Sequence, residues 1–144
     1  MTEIDYASLR ASVQVSEGLR LKVYTDTTGH QTIGYGHNLE DGIPPEIALA
    51  LLDWDLNNAI QSCEGRLPYF KALDGSRQRV LAEMALNMGI DGLLEFSGML
   101  NAVQLGRYDL AAAEMLRSTW ATQVGLRARR LSALMQLGAG SVMA

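Results

Sequence analysis

The sequence predicts an α+β fold, mostly helical, with a small β-hairpin lobe joined by a spine helix to a helical lobe. Three observations carry that expectation. Hydrophobic periodicity switches from helical to alternating at Leu19, a broad apolar stripe follows Pro45, and helical spacing then continues to Leu137. The 144 residues suit a single domain over 1–144. Its parts are expected to be a hairpin lobe at 16–43, a spine helix at 45–64, and a helical lobe from 1–15 and 66–138.

The first helix is expected over residues 4–17. Asp5 is placed to cap it, Ile4, Leu9 and Val13 form a modest apolar stripe, and Gly18 follows as a left-handed stop. Leu19, Leu21 and Val23 then alternate with Arg20, Lys22 and Tyr24, the pattern of a half-buried strand. Thr25-Asp26-Thr27-Thr28-Gly29 is turn chemistry, and Gln31 to Gly36 reads as the returning strand. Such a hairpin is marginal alone and needs a larger body to lean on. Pro45 suits a first helical turn, and Ile47, Leu51 and Trp54, widened by Leu49, Leu52, Leu56 and Ile60, imply a helix contacted from two sides. Later helices are expected at 76–88, 93–105, 109–116 and 126–137, the last ending at Gly138, with a frayed tail at 139–144. Met84, Met88, Met99, Met115 and Met135 occupy apolar helix positions and read as core filling.

Composition narrows the function classes. With 48% apolar and 19% charged residues the chain can bury a core. A net charge of −4 argues against general nucleic-acid binding, whose affinity comes largely from neutralised phosphates. Arg127, Arg129 and Arg130 form a local basic cluster that reads as a solvated helix face. Cys63 is the only cysteine, which excludes an internal disulfide. Two histidines and one cysteine at unrelated spacings make no metal-ligand set, and no cofactor is expected. No apolar run reaches the ~18 residues of a membrane span, and the N-terminus lacks the pattern of a signal peptide.

Chemistry concentrates in 16–37. Glu17 falls at a helix C-terminus, whose partial negative charge favours a carboxyl that keeps its proton, as a general acid must. Asp26, nine residues on in a polar turn, is expected to stay ionised as a general base. Thr32, on the return strand, carries a hydroxyl able to fix a water. Spacing alone leaves the ordinary alternative open, since acids at helix ends and in turns are common. His37 reads either as structural or as a ligand, and Gly34 and Gly36 either as tight turns or as backbone lining a substrate cleft.

The string S-E-G-L-R-L-K-V-Y-T-D-T-T-G-H-Q-T-I-G-Y-G-H resembles, without gaps, the catalytic segment of the phage-type lysozymes, the endolysin muramidases. That family's pattern is E-G-x-R-x-x-x-Y-x-D-x-x-G-x-x-T-I-G-x-G-H. The resemblance implies a lysozyme-like fold with the active cleft between the lobes. It further implies hydrolysis of the β-1,4 bond between N-acetylmuramic acid and N-acetylglucosamine in peptidoglycan. Glu17, Asp26 and Thr32 are then the catalytic residues, and Gly34 a backbone contact to substrate. L-L-D-W-D-L-N-N-A-I resembles the family's inter-lobe helix, which implies that Asp55 pairs with His37 in a structural role. A-L-N-M-G implies substrate contacts at Asn87 and Met88, and the W…R-A-x-R region implies that Arg127 lies near Glu17. An arginine there favours the ionised glutamate and opposes the helix end. The chain is shorter than the best-known members between His37 and Pro44, which implies a two-stranded sheet. By the same resemblance the protein acts as a monomer on glycan strands, without membrane insertion, accumulates in the host cytoplasm, and reaches the wall with the help of a holin. Two other classes stay open: a lysozyme-like module that grips glycan without cutting it, and a lytic transglycosylase that breaks the same bond without water.

Overall fold

The computed structural model describes residues Glu3–Gly138. The expected frayed tail at 139–144 lies outside the described residues. Among the described residues, seven α-helices, two short 3-10 turns and one three-stranded antiparallel sheet form the lysozyme-like α+β fold. It divides into two compact units, residues 1–49 and 50–144.

The first unit begins with α1, Tyr6–Glu17. Asp5 caps it as expected, its carboxylate accepting the Ser8 amide at 3.2 Å and the Ser8 hydroxyl at 2.7 Å. Strands β1 (Arg20–Thr25), β2 (Gln31–Gly34) and β3 (His37–Asn38) follow in that order across the sheet. The third strand corrects the expectation of two. His37 pairs with Ile33 and Asn38 with Thr32, so the shortened connection still leaves a two-residue edge. Asn38 then caps a 3-10 turn over Leu39–Asp41, accepting the Glu40 amide at 2.9 Å. The unit groups α1 with the sheet, whereas the sequence reading grouped residues 1–15 with the later helices. Tyr35 lines a groove with Tyr6, Leu9 and Val13 of α1, which accounts for that grouping.

The alternation in β1 does not produce a half-buried strand. Leu19, Leu21 and Val23 are all exposed, Leu21 at 79%. Helix α2 spans Pro45–Arg66, and its burial is confined to Ala59 and Cys63. Ile47, Leu49, Leu51, Leu52 and Trp54 are exposed, so the expected helix covered on two sides is covered only toward its C-terminal half.

The second unit holds the core. Helices α3 (Gly75–Leu94), α4 (Ser97–Gln104), α5 (Tyr108–Leu116), α6 (Thr119–Val124) and α7 (Leu126–Leu137) enclose Val80, Leu81, Met84, Leu93, Met99, Val103, Met115 and Met135. Helix α5 packs on α4 and α7, and α7 also meets α3 and α6. Met84, Met99, Met115 and Met135 fill this core as expected, while Met88 is only half-buried. Asp74 caps α3, and α3 is broken at Gly89, whose φ of 80° and ψ of 159° no helix contains. A side chain there would be strained, so glycine sets the kink just past the expected end at Met88. Arg77 of α3 donates from Nε to the Met135 carbonyl at 2.8 Å and from Nη2 to the Gln136 carbonyl at 2.9 Å, satisfying the open end of α7. Buried Ser132 donates to the Ala112 carbonyl at 3.1 Å and ties α7 to α5. Burial pushes the Cys63 thiol up to about 11, so it stays a protonated core residue.

Candidate active site

Glu17 is the last residue of α1, where the amide of Gly18 closes on the Gln14 carbonyl at 3.0 Å. It is exposed rather than partly buried. Its carboxylate lies against the turn between β2 and β3. A Cβ on Gly36 would stand 2.7 Å from Glu17 Oε2, and Gly36 has φ 79°. The positive φ requires glycine, and a side chain there would also displace the Glu17 carboxylate, which explains why the string keeps a bare backbone beside the acid. Gly34 pairs with Arg20 at the far end of the β1–β2 register and is half-buried.

Asp26 sits at the tip of the β1–β2 hairpin. Its backbone amide donates to the His30 carbonyl at 2.8 Å, and its own carbonyl accepts the Gly29 amide at 3.1 Å. One carboxylate oxygen, Oδ1, accepts three hydrogen bonds: the Thr28 amide at 2.9 Å, the Thr28 hydroxyl at 2.9 Å and the His30 amide at 2.8 Å. The His30 amide is the foremost of the donors that hold this carboxyl below the usual aspartate range, with the Thr28 hydroxyl next. Asp26 is therefore ionised near neutrality, as a base or charge stabiliser has to be.

Thr32 is the one buried side chain among the described residues through Leu49. Its hydroxyl donates to the His30 carbonyl at 3.0 Å, which leaves the oxygen's lone pairs to accept. His37 donates from Nε2 to the Gly42 carbonyl at 2.8 Å and closes the loop after β3 on itself. Asp55 belongs to the other unit, on α2, beside a cavity of about 400 Å³ lined with Asn58, Ser62, Leu86 and Ile90.

The other candidates are in the second unit. Asn87 Oδ1 accepts the Trp120 indole N–H at 2.7 Å. Trp120 in turn meets Phe96 edge-to-face, with centroids 6.0 Å apart. These rings and Met88 line an open cavity of about 510 Å³, together with Glu95, Glu114 and Arg117. Arg127 Nε donates to Glu83 Oε2 at 3.0 Å. The sequence reading missed Glu83 and Phe96, and it had Trp120 only as part of a motif. Glu83 lies 44 residues from Arg127, and no local pattern announces a pair over that distance.

The unit of residues 1–49 thus gathers Glu17, Asp26, Thr32, Gly34 and His37, while Asn87, Met88 and Arg127 belong to the unit of residues 50–144. Comparison with known proteins places the chain as a whole. The chain is 27% identical to the Probable T4-type lysozyme 1 of Dictyostelium discoideum, over 92% of this chain and 95% of that protein. It is 31% identical to the Endolysin of Acyrthosiphon pisum secondary endosymbiont phage 1, covering 77% of each. It is also 31% identical to the Pre-baseplate central spike protein Gp5 of Enterobacteria phage T4, over 91% of this chain but only 28% of that protein. The family profile described as Phage lysozyme matches residues 14–134, a span that takes in both carboxylates and most of the helical second unit. The chain belongs to the phage lysozyme family and is a lysozyme-type glycoside hydrolase.

Proposed function

We propose that the protein hydrolyses the β-1,4 glycosidic bond between N-acetylmuramic acid and N-acetylglucosamine in bacterial peptidoglycan. The observation that carries this reading is the contrast between two carboxylates of one compact unit. Asp26 is held ionised by three donors, while Glu17 ends a helix against a bare glycine. Glu17 is the general acid and delivers its proton to the leaving glycosidic oxygen. Asp26 acts on the opposite face of the sugar, taking a proton from the attacking water as positive charge develops at the anomeric carbon. Thr32, whose proton is committed to the His30 carbonyl, accepts a hydrogen bond from that water and so directs its lone pair. Carboxyl groups roughly 6.5–9.5 Å apart leave room for the water and invert the anomeric centre, against about 5–5.5 Å for retention. Inversion is the outcome expected.

In the second unit, Asn87 is oriented by the Trp120 indole and Met88 offers an adaptable apolar surface, so both suit contact with the sugars. Gly34 contributes backbone. Arg127 is held by Glu83 and presents its remaining guanidinium donors to polar substrate groups. The relative named Endolysin supports a role in lysing the host wall from within; action as a monomer, with a holin admitting it to the wall, belongs to the same proposal. The relative named as a central spike protein supports a second reading, in which a domain of this kind works on the wall as part of a phage particle.

The test is incubation of purified cell walls with the protein. Wild type releases new reducing ends whose fragments carry the mass of one added water, and the first-formed anomer is the inverted one by NMR. Glu17→Gln lowers the rate at least ~100-fold, the scale of a lost general acid. Anhydro-sugar products identify a transglycosylase instead. No release by wild type overturns the proposal.

A further inference from the structure

The hairpin tip carries a hydrogen-bond relay that general acid–base chemistry does not require. Beyond the bonds already described, the Thr28 hydroxyl oxygen lies 2.9 Å from His30 Nδ1. Asp26 Oδ1 is thus saturated, whereas among the described residues no hydrogen bond reaches Oδ2, and His30 Nδ1 lies 3.8 Å from it. The two oxygens of one carboxylate are made unequal. Oδ1 is anchored and its lone pairs are engaged, while Oδ2, on a side chain that is 33% exposed, keeps its lone pairs free of hydrogen bonds among the described residues.

Proton counting then fixes the state of the histidine. An ionised carboxylate only accepts, so the single Thr28 hydroxyl proton points at Asp26 Oδ1. The contact between Thr28 Oγ1 and His30 Nδ1 needs a proton of its own, and it has to come from the imidazole. Neutral His30 is therefore the Nδ1–H tautomer with a bare Nε2. Both that form and the imidazolium carry the Nδ1 proton, so the relay does not depend on His30 being charged. The His30 side chain is 46% exposed, which means that burial in a core does not account for its orientation.

We propose that His30 is a positioning residue which, through Thr28, fixes the Asp26 carboxylate so that Oδ2 is the oxygen offered to the reaction. This rests on the reading of Asp26 as the group acting on the attacking water. Donation from His30 polarises the Thr28 hydroxyl and strengthens its bond to Oδ1, a cooperative gain in a chain of hydrogen bonds. Rotation of the carboxylate would break three bonds at once, so the orientation of Oδ2 is set before substrate arrives.

The test uses the full chain and peptidoglycan. His30→Ala and Thr28→Val each lower kcat by about tenfold with KM within about twofold, the scale of losing one hydrogen bond to a charged group. The double variant is no slower than either single one, because both break the same relay. His30→Asn, which keeps an N–H donor near the Nδ1 position, and Thr28→Ser, which keeps the hydroxyl, recover most of the rate. A residue that merely stabilised the turn would not give this rescue with kcat moving alone. In wild type, 15N NMR of neutral His30 shows Nδ1 protonated and Nε2 bare, a readout that needs no variant to fold. If Asp26→Asn is inactive but His30→Ala keeps full kcat, or if neutral His30 is the Nε2–H tautomer, this inference falls alone. If Asp26→Asn retains activity, the reading of Asp26 falls with it.

Discussion

The two units of this protein are held by different forces. Among the described residues through Leu49, Thr32 alone is buried. That unit is tied by short hydrogen bonds: Asp5 to Ser8, Asp26 to Thr28 and His30, His37 to Gly42, and Asn38 to Glu40. The unit from Ala50 onward is organised by apolar burial around Leu81, Met84, Met99, Met115 and Met135. Both proposed catalytic acids fall in the unit without a core. A carboxylate needs polar donors and water nearby, and a dense apolar interior would discharge or exclude it. The comparison teaches that the chemistry of this protein rests on local polar geometry, and its stability on helix packing elsewhere.

That division can be broken or sharpened by mutation. Met84→Ala, which empties a fully buried site, is expected to lower stability by about 2–5 kcal/mol in urea unfolding. The amide and side-chain NMR signals of residues 26–30 should be undisturbed while the protein remains folded. Gly36→Ala comes next. Its φ and the approach of Glu17 Oε2 together predict a loss of about 1–3 kcal/mol, the cost of a side chain in a disfavoured backbone region. It should also reduce wall cleavage, which Met84→Ala should not do below its unfolding midpoint. If Gly36→Ala lowers stability yet cuts wall at the wild-type rate, the carboxylate of Glu17 tolerates displacement and the local-geometry argument fails.

Trp120→Phe removes one donor to Asn87 while keeping most of the ring, and about 1 kcal/mol of stability should go with it. Its kinetic effect is expected mainly in KM, because Asn87 would contact sugar rather than the reacting atoms. The smallest effect concerns pH. Asp26 titrates lower in the native protein than in the unfolded chain, so its contribution to stability is fully present above the unfolded value. That contribution is lost as pH falls through the native value. A 13C titration of the Asp26 carboxyl should give a midpoint below the ordinary aspartate range, and the acid limb of activity near neutrality should not report Asp26.

Local features were legible to different depths. The Asp5 cap, the Gly18 stop and the Asp74 cap follow from residue types at helix ends, and the structure has all three. The turn at Asp26 was equally readable, though the His30 relay was not, because its meaning depends on which atoms meet. Alternation at Leu19, Leu21 and Val23 correctly marked a strand but not its burial. A pattern records which side chains gain from being covered; it does not supply the layer that covers them. Helix α6 escaped notice because six residues give too little periodicity, although Ser118 caps it and was the available signal.

Interactions within about five positions, such as the caps, the Asp26 turn and the His37 loop closure, are settled along the chain itself, because the partners cannot be far apart in any compact conformation. The motif from Glu17 to His37 is longer but contiguous in the chain, so it too was readable and carried the family with it. The partner of Asn87 is 33 residues away and that of Arg127 is 44. Those pairings and the exposure of α2 were decided by the packing of helices and strands. Packing energy is summed over many distant contacts, and no short stretch of sequence records it.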